Sequence, residues 1–147
     1  ALQEASMAAE KGEVPVGAIV LSDGELIGQG HNLRETDQDP LAHAELIALR
    51  RAADRLGSWR LVGCTMFVTL EPCAMCAGAL VNSRIERLVF AASDPKAGYC
   101  GSLGNIAQDE RLNHRVEIRR GVLQEKSTVM LKEFFAALRQ RDLEQAS

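Results

Sequence analysis

Apolar residues along this chain recur with two different spacings, one typical of helices and one typical of strands. In residues 1–11 and 41–56 they return every three or four positions, which predicts two amphipathic helices. Residues 14–21 form an apolar, β-branched run that ends in Ser-Asp-Gly, and an extended pattern resumes over residues 25–30, so a β-hairpin is predicted there. Residues 32–40 are polar and are predicted to form a loop.

The rest of the chain continues to alternate between strands and helices. The predicted strands cover residues 64–70, 87–92 and 116–119, and the predicted helices cover residues 73–82 and 124–141. Pro72 is expected at the first position of its helix, where the missing N–H costs nothing. The inward residues expected on the last helix are Val129, Leu131, Phe134, Phe135 and Leu138. Residues 93–115 show little periodicity and are expected to form a functional loop.

This order of elements predicts an α/β fold of three layers, with helices on both sides of a mixed sheet of about five strands. The length of 147 residues is that of one domain, which we expect to span residues 1–147. No apolar run approaches the roughly 18 residues of a membrane span, and the chain does not begin with a basic segment followed by an apolar core. We therefore expect no membrane partner and a cytoplasmic location.

Charges are unevenly distributed along the chain. The formal net charge is -3, but residues 84–141 carry 11 basic and 7 acidic residues, whereas residues 1–83 carry 6 basic and 11 acidic residues. A basic half of the chain can form a surface that binds a polyanion even though the net charge of the whole chain is negative. It can equally reflect ordinary solvated helix faces. Charge therefore excludes a uniformly basic, non-specific nucleic-acid binder and leaves the other two interpretations open.

Two short motifs carry the strongest chemical signal. His43-Ala-Glu45 stands at the start of one predicted helix and Pro72-Cys73-Ala-Met-Cys76 at the start of another, which makes an H-x-E and P-C-x-x-C pair. One imidazole and two thiolates suit zinc. A structural zinc site needs four protein ligands, and the chain has only one close pair of cysteines. A three-ligand site with a position open for water therefore fits better.

Glu45 is expected to move protons rather than to bind the metal. Burial beside an anionic zinc site would raise its pKa toward neutrality, as a group that is both acid and base requires. Two other interpretations of the cysteines stay open. They are a redox pair, and a non-catalytic zinc module in which Cys64 or Cys100 supplies the fourth ligand.

Five stretches of the chain are similar to one known family. They are GEVPVG at residues 12–17, DPLAHAE at 39–45, TLEPCAMCAG at 69–78, DPKAG at 94–98 and NHRVEI at 113–118. The motif pair resembles the zinc-dependent nucleoside and nucleobase deaminases, and the last two stretches are similar to the branch that acts on tRNA adenosine. The resemblance covers nearly the whole chain and implies a cytidine-deaminase-like fold.

The resemblance also implies roles for individual residues. His43, Cys73 and Cys76 would bind one zinc ion per subunit, and Glu45 would be the general acid and base. The residues implied to bind substrate are Val16, Asn32, Ala44, Leu70 and Pro72 around the nucleoside, and Asp94, Lys96, Asn113 and Arg115 toward the RNA.

The activity implied by the resemblance is hydrolytic deamination of the wobble adenosine, position 34, to inosine in an arginine tRNA with an ACG anticodon. A homodimer is implied as the active form. The motif pair alone equally permits a deaminase of a free base or nucleotide, of the guanine or cytosine type, and this alternative stays open. The sequence departs from the family at Tyr99 and Cys100, where small residues are expected.

Overall fold

The computed structural model describes residues 1–146 and places five strands in one mixed sheet. The strands are β1 (Gly17–Ser22), β2 (Glu25–His31), β3 (Cys64–Leu70), β4 (Arg87–Ala92) and β5 (Glu117–Arg120), and their order across the sheet is β2-β1-β3-β4-β5. Strand β1 pairs antiparallel with β2 and β3, whereas β3, β4 and β5 run parallel. The predicted hairpin and the predicted mixed sheet are confirmed.

Helices connect and flank these strands. Within residues 1–146 they are α1 (Leu2–Glu10), α2 (Arg34–Asp37), α3 (Ala44–Leu56), α4 (Ala74–Asn82), α5 (Gln124–Ala146) and a 3₁₀ turn (Ile106–Gln108). The prediction of a loop over residues 32–40 is wrong in part, because α2 lies inside it. Cys73 caps α4 with an extended backbone, so Pro72 precedes the helix rather than opening its first turn. No helix in the described part of the chain is both long and apolar enough to cross a membrane.

Helices cover both faces of the sheet, as a three-layer fold requires. A Cβ atom at Gly28 of β2 would overlap the Ala48 carbonyl of α3, and one at Gly17 of β1 would overlap the Ala1 carbonyl before α1. Gly28 pairs with Val20, which is three residues from Gly17 along β1, so the two glycines face opposite sides. The missing side chains therefore let one helix pack closely on each face.

The face of the sheet toward α3 and α4 is buried more completely than the face toward α1 and α5. The strand residues on the first face are almost fully buried, namely Ala18, Val20, Met66, Val68, Leu88 and Phe90. On the other side, a shallow apolar groove remains along Ile19, Phe67 and Val89. The main hydrophobic core thus lies between the sheet and the two helices that begin at the motif residues.

Helix α5 extends well beyond the sheet on which it packs. Its 23 residues span about 35 Å, whereas the six residues of β4 span about 20 Å. Among the described residues of α5, Ser127 is the buried one, and its hydroxyl donates a hydrogen bond to the Thr69 carbonyl in β3. The prediction of Val129, Phe135 and Leu138 as inward residues is therefore wrong, since each exposes more than a third of its surface.

Candidate active site

Two helix N-termini meet near the carboxyl end of β3 and carry the predicted metal ligands. His43 is the residue before α3 and Cys73 the residue before α4, and both have extended backbone dihedral angles. Cys76 lies in the first turn of α4 and is fully buried. Residues two apart on a helix diverge by about 200°, but His43 stands outside the helix and can therefore share a site with Glu45.

The ligand atoms of His43, Cys73 and Cys76 form a compact triangle. His43 Nδ1 lies 3.7 Å from the Cys73 sulfur and 3.5 Å from the Cys76 sulfur, and the three atoms all lie within 4.8 Å of one another. Tetrahedral zinc, with bonds of about 2.3 Å to sulfur and about 2.0 Å to nitrogen, separates such ligands by about 3.5 Å. The donor set and its spacing fit zinc. Neither Cys64 nor Cys100 belongs to the metal-binding group found among residues 1–146, which disfavours a closed structural site.

The two thiols differ sharply in their readiness to lose a proton. Hydrogen bonds from the Cys76 thiol and from His43 lower the pKa of Cys73 to about 3, so this sulfur is a thiolate at neutral pH. The same bond, together with burial, raises the pKa of Cys76. The N-termini of α3 and α4 add positive partial charge at the same point. A metal that binds both sulfurs must therefore displace the one proton they share.

Glu45 lies in the first turn of α3, and only 4% of its surface is exposed. Burial raises the pKa of its carboxyl group, and the nearby charge of Cys73 acts in the same direction. The carboxyl also interacts with the Cys76 thiol. A carboxyl group of raised pKa beside a metal-binding triangle can both release and accept a proton.

A cavity opens at this triangle and gathers most of the residues predicted to bind a nucleoside. Its lining includes Val16, Asn32, Ala44, Leu70 and Asp94 together with His43, Glu45 and Cys73. Asn32 is oriented by the backbone, since its amide donates to the Val14 carbonyl at 3.4 Å and its oxygen accepts from the Arg34 N–H at 3.1 Å. Pro72 is fully buried and lies outside this lining, and its carbonyl accepts a hydrogen bond from the Tyr99 N–H.

The residues predicted to receive RNA lie in two separate parts of the molecule. Asp94 lines the cavity, and Lys96 follows it in an exposed turn beside α5. Residues 113–115 lie near the opposite end of β4, where the ring of His114 donates to the Ile85 carbonyl at 2.7 Å. Because β4 spans about 20 Å, Asn113 and Arg115 are not brought to the cavity of their own chain.

Two buried glutamates, one in the cavity lining and one next to the lining residue Val14, are not among the predicted site residues. Glu71 accepts four hydrogen bonds from one loop, donated by the N–H groups of Asp94, Cys100 and Ser102 and by the Ser102 hydroxyl. Glu13 accepts from two N–H groups at the start of α2. For Glu71 the signal in the sequence was a charged residue inside an apolar segment, because a carboxylate buried there must find donors.

Comparison with known proteins agrees with the geometry of this site. The MafB19-like deaminase family matches residues 1–139. The tRNA-specific adenosine deaminase of Bacillus subtilis is 53% identical over 141 residues, which cover 96% of this chain and 88% of that protein. A structure solved in a study of A-to-I editing by tRNA:A34 deaminases aligns with a TM-score of 0.86 at 39% identity, over 89% of this chain and 95% of that one.

A more distant relative also shares the fold. Guanine deaminase from Nitrosomonas europaea aligns with a TM-score of 0.76 at 26% identity, over 91% of this chain and 79% of that one. The higher identity to the tRNA-specific enzymes favours that branch over the free-base alternative. The chain is therefore a deaminase of the MafB19-like family and belongs with the tRNA-specific adenosine deaminases.

Proposed function

We propose that this chain catalyses the hydrolytic deamination of the wobble adenosine, position 34, to inosine in an arginine tRNA with an ACG anticodon. The observation that carries the proposal is buried Glu45 beside the triangle of His43, Cys73 and Cys76, in a chain 53% identical to a tRNA-specific adenosine deaminase. We further propose that residues 1–147 act as one catalytic domain in the cytoplasm, where the tRNA substrate is found.

In this proposal His43, Cys73 and Cys76 hold one zinc ion per subunit. Zinc bound there would supply a water molecule acidic enough to act as the nucleophile at carbon 6 of adenine. Glu45 would move both protons that the reaction requires. It would carry one from the attacking water to N1 of the ring and the other from the oxygen added at carbon 6 to the amino group, which would leave as ammonia. The raised pKa of Glu45 suits a group that must be protonated between these steps.

The cavity walls suit an adenine that has left the base stack. Val16 and Leu70 offer apolar surface to the ring, and Ala44 adds little bulk at the start of α3. Asn32, held by its two backbone bonds, presents its remaining amide positions to a polar edge of the nucleoside. Pro72 would act indirectly, through the hydrogen bond to the loop after β4. In an anticodon loop the bases are already partly unstacked, which lowers the cost of extruding one.

A basic groove beside the cavity supports an RNA substrate over a free base. It runs along α5 from Ser93, and it is lined by Lys96, Lys132, Arg139 and the ring of Phe135. Three cations with no acidic side chain in the lining suit phosphates, and a ring that is 39% exposed suits base stacking. A free base offers no phosphate for these cations.

We propose a homodimer in which Asn113 and Arg115 of one subunit reach the RNA held by its partner. Both lie far from the cavity of their own chain, and Arg115 lines a depression that it shares with Arg84. The Arg84 guanidinium lies 5.8 Å from the ring centroid of Trp59, and that ring is 59% exposed. Exposed tryptophan and arginine side chains are typical of interface centres.

Activity on tRNA tests the proposed function directly. Zinc-loaded protein incubated with a transcribed arginine tRNA bearing an ACG anticodon should produce inosine at position 34. Glu45→Gln is the matched control, because it keeps the side-chain size and should bind zinc without turnover. Ammonia release from guanine, cytosine and free nucleotides tests the alternative. Release from one of these with no inosine in tRNA would replace the proposed function by that alternative.

Mixed dimers test whether Arg115 acts on the partner's substrate. Glu45→Gln and Arg115→Glu homodimers should each be weak or inactive. After subunit exchange, one site of the mixed dimer combines an intact Glu45 with an intact Arg115 from the other subunit, so activity should reappear. Absence of recovery in mixed dimers of verified composition would contradict the proposal that Arg115 acts at the site of the partner subunit.

A further inference from the structure

Glu71 is a buried carboxylate that the proposed mechanism does not use. It stands between Leu70, which lines the cavity, and Pro72, and only 3% of its surface is exposed. No ion pair joins it to a cation among residues 1–146. A carboxylate in such a place must be held by hydrogen bonds, and all of its side-chain bonds come from one loop.

That loop is residues 94–102, and Glu71 holds both of its ends. Oε1 accepts from the Asp94 N–H at 3.0 Å and from the Ser102 hydroxyl, and Oε2 accepts from the N–H groups of Cys100 and Ser102, each at 3.0 Å. A carboxylate has about four lone-pair positions, so these partners occupy all of them. Glu71 therefore has none left with which to take a proton from a substrate.

The loop is closed on itself by Asp94 and packs against the Glu71 carboxylate. Asp94 Oδ1 accepts from the N–H groups of Lys96 at 3.0 Å and Ala97 at 3.2 Å, and its carbonyl accepts from the Gly98 N–H at 2.9 Å. A Cβ atom at Gly98 would overlap the Glu71 carboxyl group, so glycine is what permits this approach. The result is a turn whose Asp94 and Ala97 line the cavity.

All four hydrogen-bond partners of the Glu71 carboxyl group are donors, three backbone N–H groups and one hydroxyl. A carboxylate can accept at each of these positions, whereas a protonated carboxyl would point its own hydrogen at a donor. The negative charge of Glu71 is matched to a set of donors, and a neutral side chain of the same shape would not match them.

We propose that Glu71 is a positioning residue that holds residues 94–102 as the RNA-side wall of the cavity and thereby favours an adenosine carried in RNA. The inference rests on the proposed function, because this loop carries Asp94 and Lys96. The Glu71 carboxylate bonds to none of the three metal-binding side chains, which lie at the starts of α3 and α4, and the loop meets them only through the bridge between Gly98 and Cys73. Loss of the carboxylate should therefore impair RNA binding and leave metal binding intact.

Glu71→Gln and Glu71→Asp test this role, with Glu117→Gln as the matched control. Glutamine keeps the shape but turns one acceptor into a donor that faces N–H groups, whereas aspartate keeps the charge on a side chain one methylene shorter. Glu117 is an exposed residue of β5 that pairs with Arg87 at 3.1 Å, near the end of the sheet away from the cavity. The same exchange at Glu117 should leave turnover unchanged.

The expected result is a loss of tRNA binding with zinc retained. Glu71→Gln should raise the KM for tRNA at least about tenfold and lower kcat by a smaller factor, and Glu71→Asp should recover part of the loss. Hydrogen exchange should accelerate more in residues 94–102 than in β3 and β4, where it reports only the loss of global stability. Loss of zinc, equal acceleration throughout the chain, or a KM within about twofold of the wild-type value would overturn the role.

A second variant keeps the inference testable if Glu71→Gln does not fold. Ser102→Ala removes one donor and leaves the carboxylate, so it should raise the KM about threefold and accelerate exchange in the same loop. Unchanged KM and exchange would overturn the role. If the wild-type protein makes no inosine, the proposed function fails, and local exchange in the Glu71 variants still decides whether this carboxylate holds the loop.

Discussion

Two glutamates with little exposed surface line the same cavity, and their surroundings shift their pKa values in opposite directions. Glu45 is 4% exposed and Glu71 is 3% exposed. Burial raises the pKa of Glu45, whereas four hydrogen bonds outweigh burial at Glu71 and lower its pKa. The balance between burial and hydrogen-bond donors therefore decides the direction in which each pKa moves. One carboxyl is thereby suited to carry protons, and the other holds a loop.

Removal of the metal should have the largest effect and should separate the two glutamates. A chelator that takes zinc from His43, Cys73 and Cys76 is expected to abolish inosine formation, because the nucleophile is lost. Hydrogen exchange in residues 94–102 should change less than in the first turn of α4, because the Glu71 carboxylate holds the loop and the loop meets the metal ligands only through the bridge between Gly98 and Cys73. An equal loss of protection in the loop and in α4 on chelation would mean that the metal site and the loop form one unit.

Glu45→Gln should lower turnover by about 1,000-fold, since a positioned acid and base contributes about 100-fold to 10,000-fold. Zinc content should remain that of the wild type, and the melting temperature should not fall, because a neutral amide is at least as easily buried as a carboxyl of raised pKa. Single-turnover kinetics and metal analysis measure both. A variant that keeps a tenth of the wild-type rate would remove Glu45 from proton transfer.

Glu71→Gln should instead lower stability, and the loss should depend on pH. The folded pKa of Glu71 lies below its unfolded value of about 4.3, so the ionised group stabilises the fold above that pH. This contribution disappears as the pH falls through the folded pKa. The variant should lose about 1–3 kcal/mol of unfolding free energy at pH 7 and less at pH 3. Urea denaturation at both pH values measures this, and an equal loss at both would contradict the assignment of charge.

Glu13 extends the comparison to a carboxylate with fewer donors. It is 1% exposed and accepts from the N–H groups of Glu35 and Thr36, which hold the start of α2 near Asn32. The Thr36 side chain is a third partner, against four at Glu71, so Glu13→Gln should cost about 1 kcal/mol in the same denaturation experiment, less than at Glu71. A larger cost at Glu13 would show that donor number does not rank these carboxylates.

The buried strands were predictable to the residue. The apolar runs over residues 64–70 and 87–92 coincide with β3 and β4, because parallel strands covered on both faces are apolar at nearly every position. The inward face of α5 was predicted incorrectly. Helical periodicity shows which residues of a helix share a face. It does not show how much of that face has a sheet to pack on, because the strands are formed by other parts of the chain.

The residues of the candidate site were predictable to different degrees. His43, Glu45, Cys73 and Cys76 belong to two short motifs, and the structure places them together, as their spacing predicts. The role of Glu71 could not be predicted in this way, because its donors lie 23 to 31 residues further along the chain. The spacing of residues within a motif does not predict hydrogen bonds between segments that are this far apart in the chain.

The sequence by itself determined the α/β fold class, most of the elements and the deaminase chemistry, because apolar periodicity and compact motifs are properties of contiguous residues. Only the tertiary structure decided which buried glutamate has a raised pKa and which a lowered one, and where the residues predicted to receive RNA lie. Both depend on how distant segments meet: a pKa follows from the donors that surround a group, and the two ends of β4 separate Asp94 from Arg115.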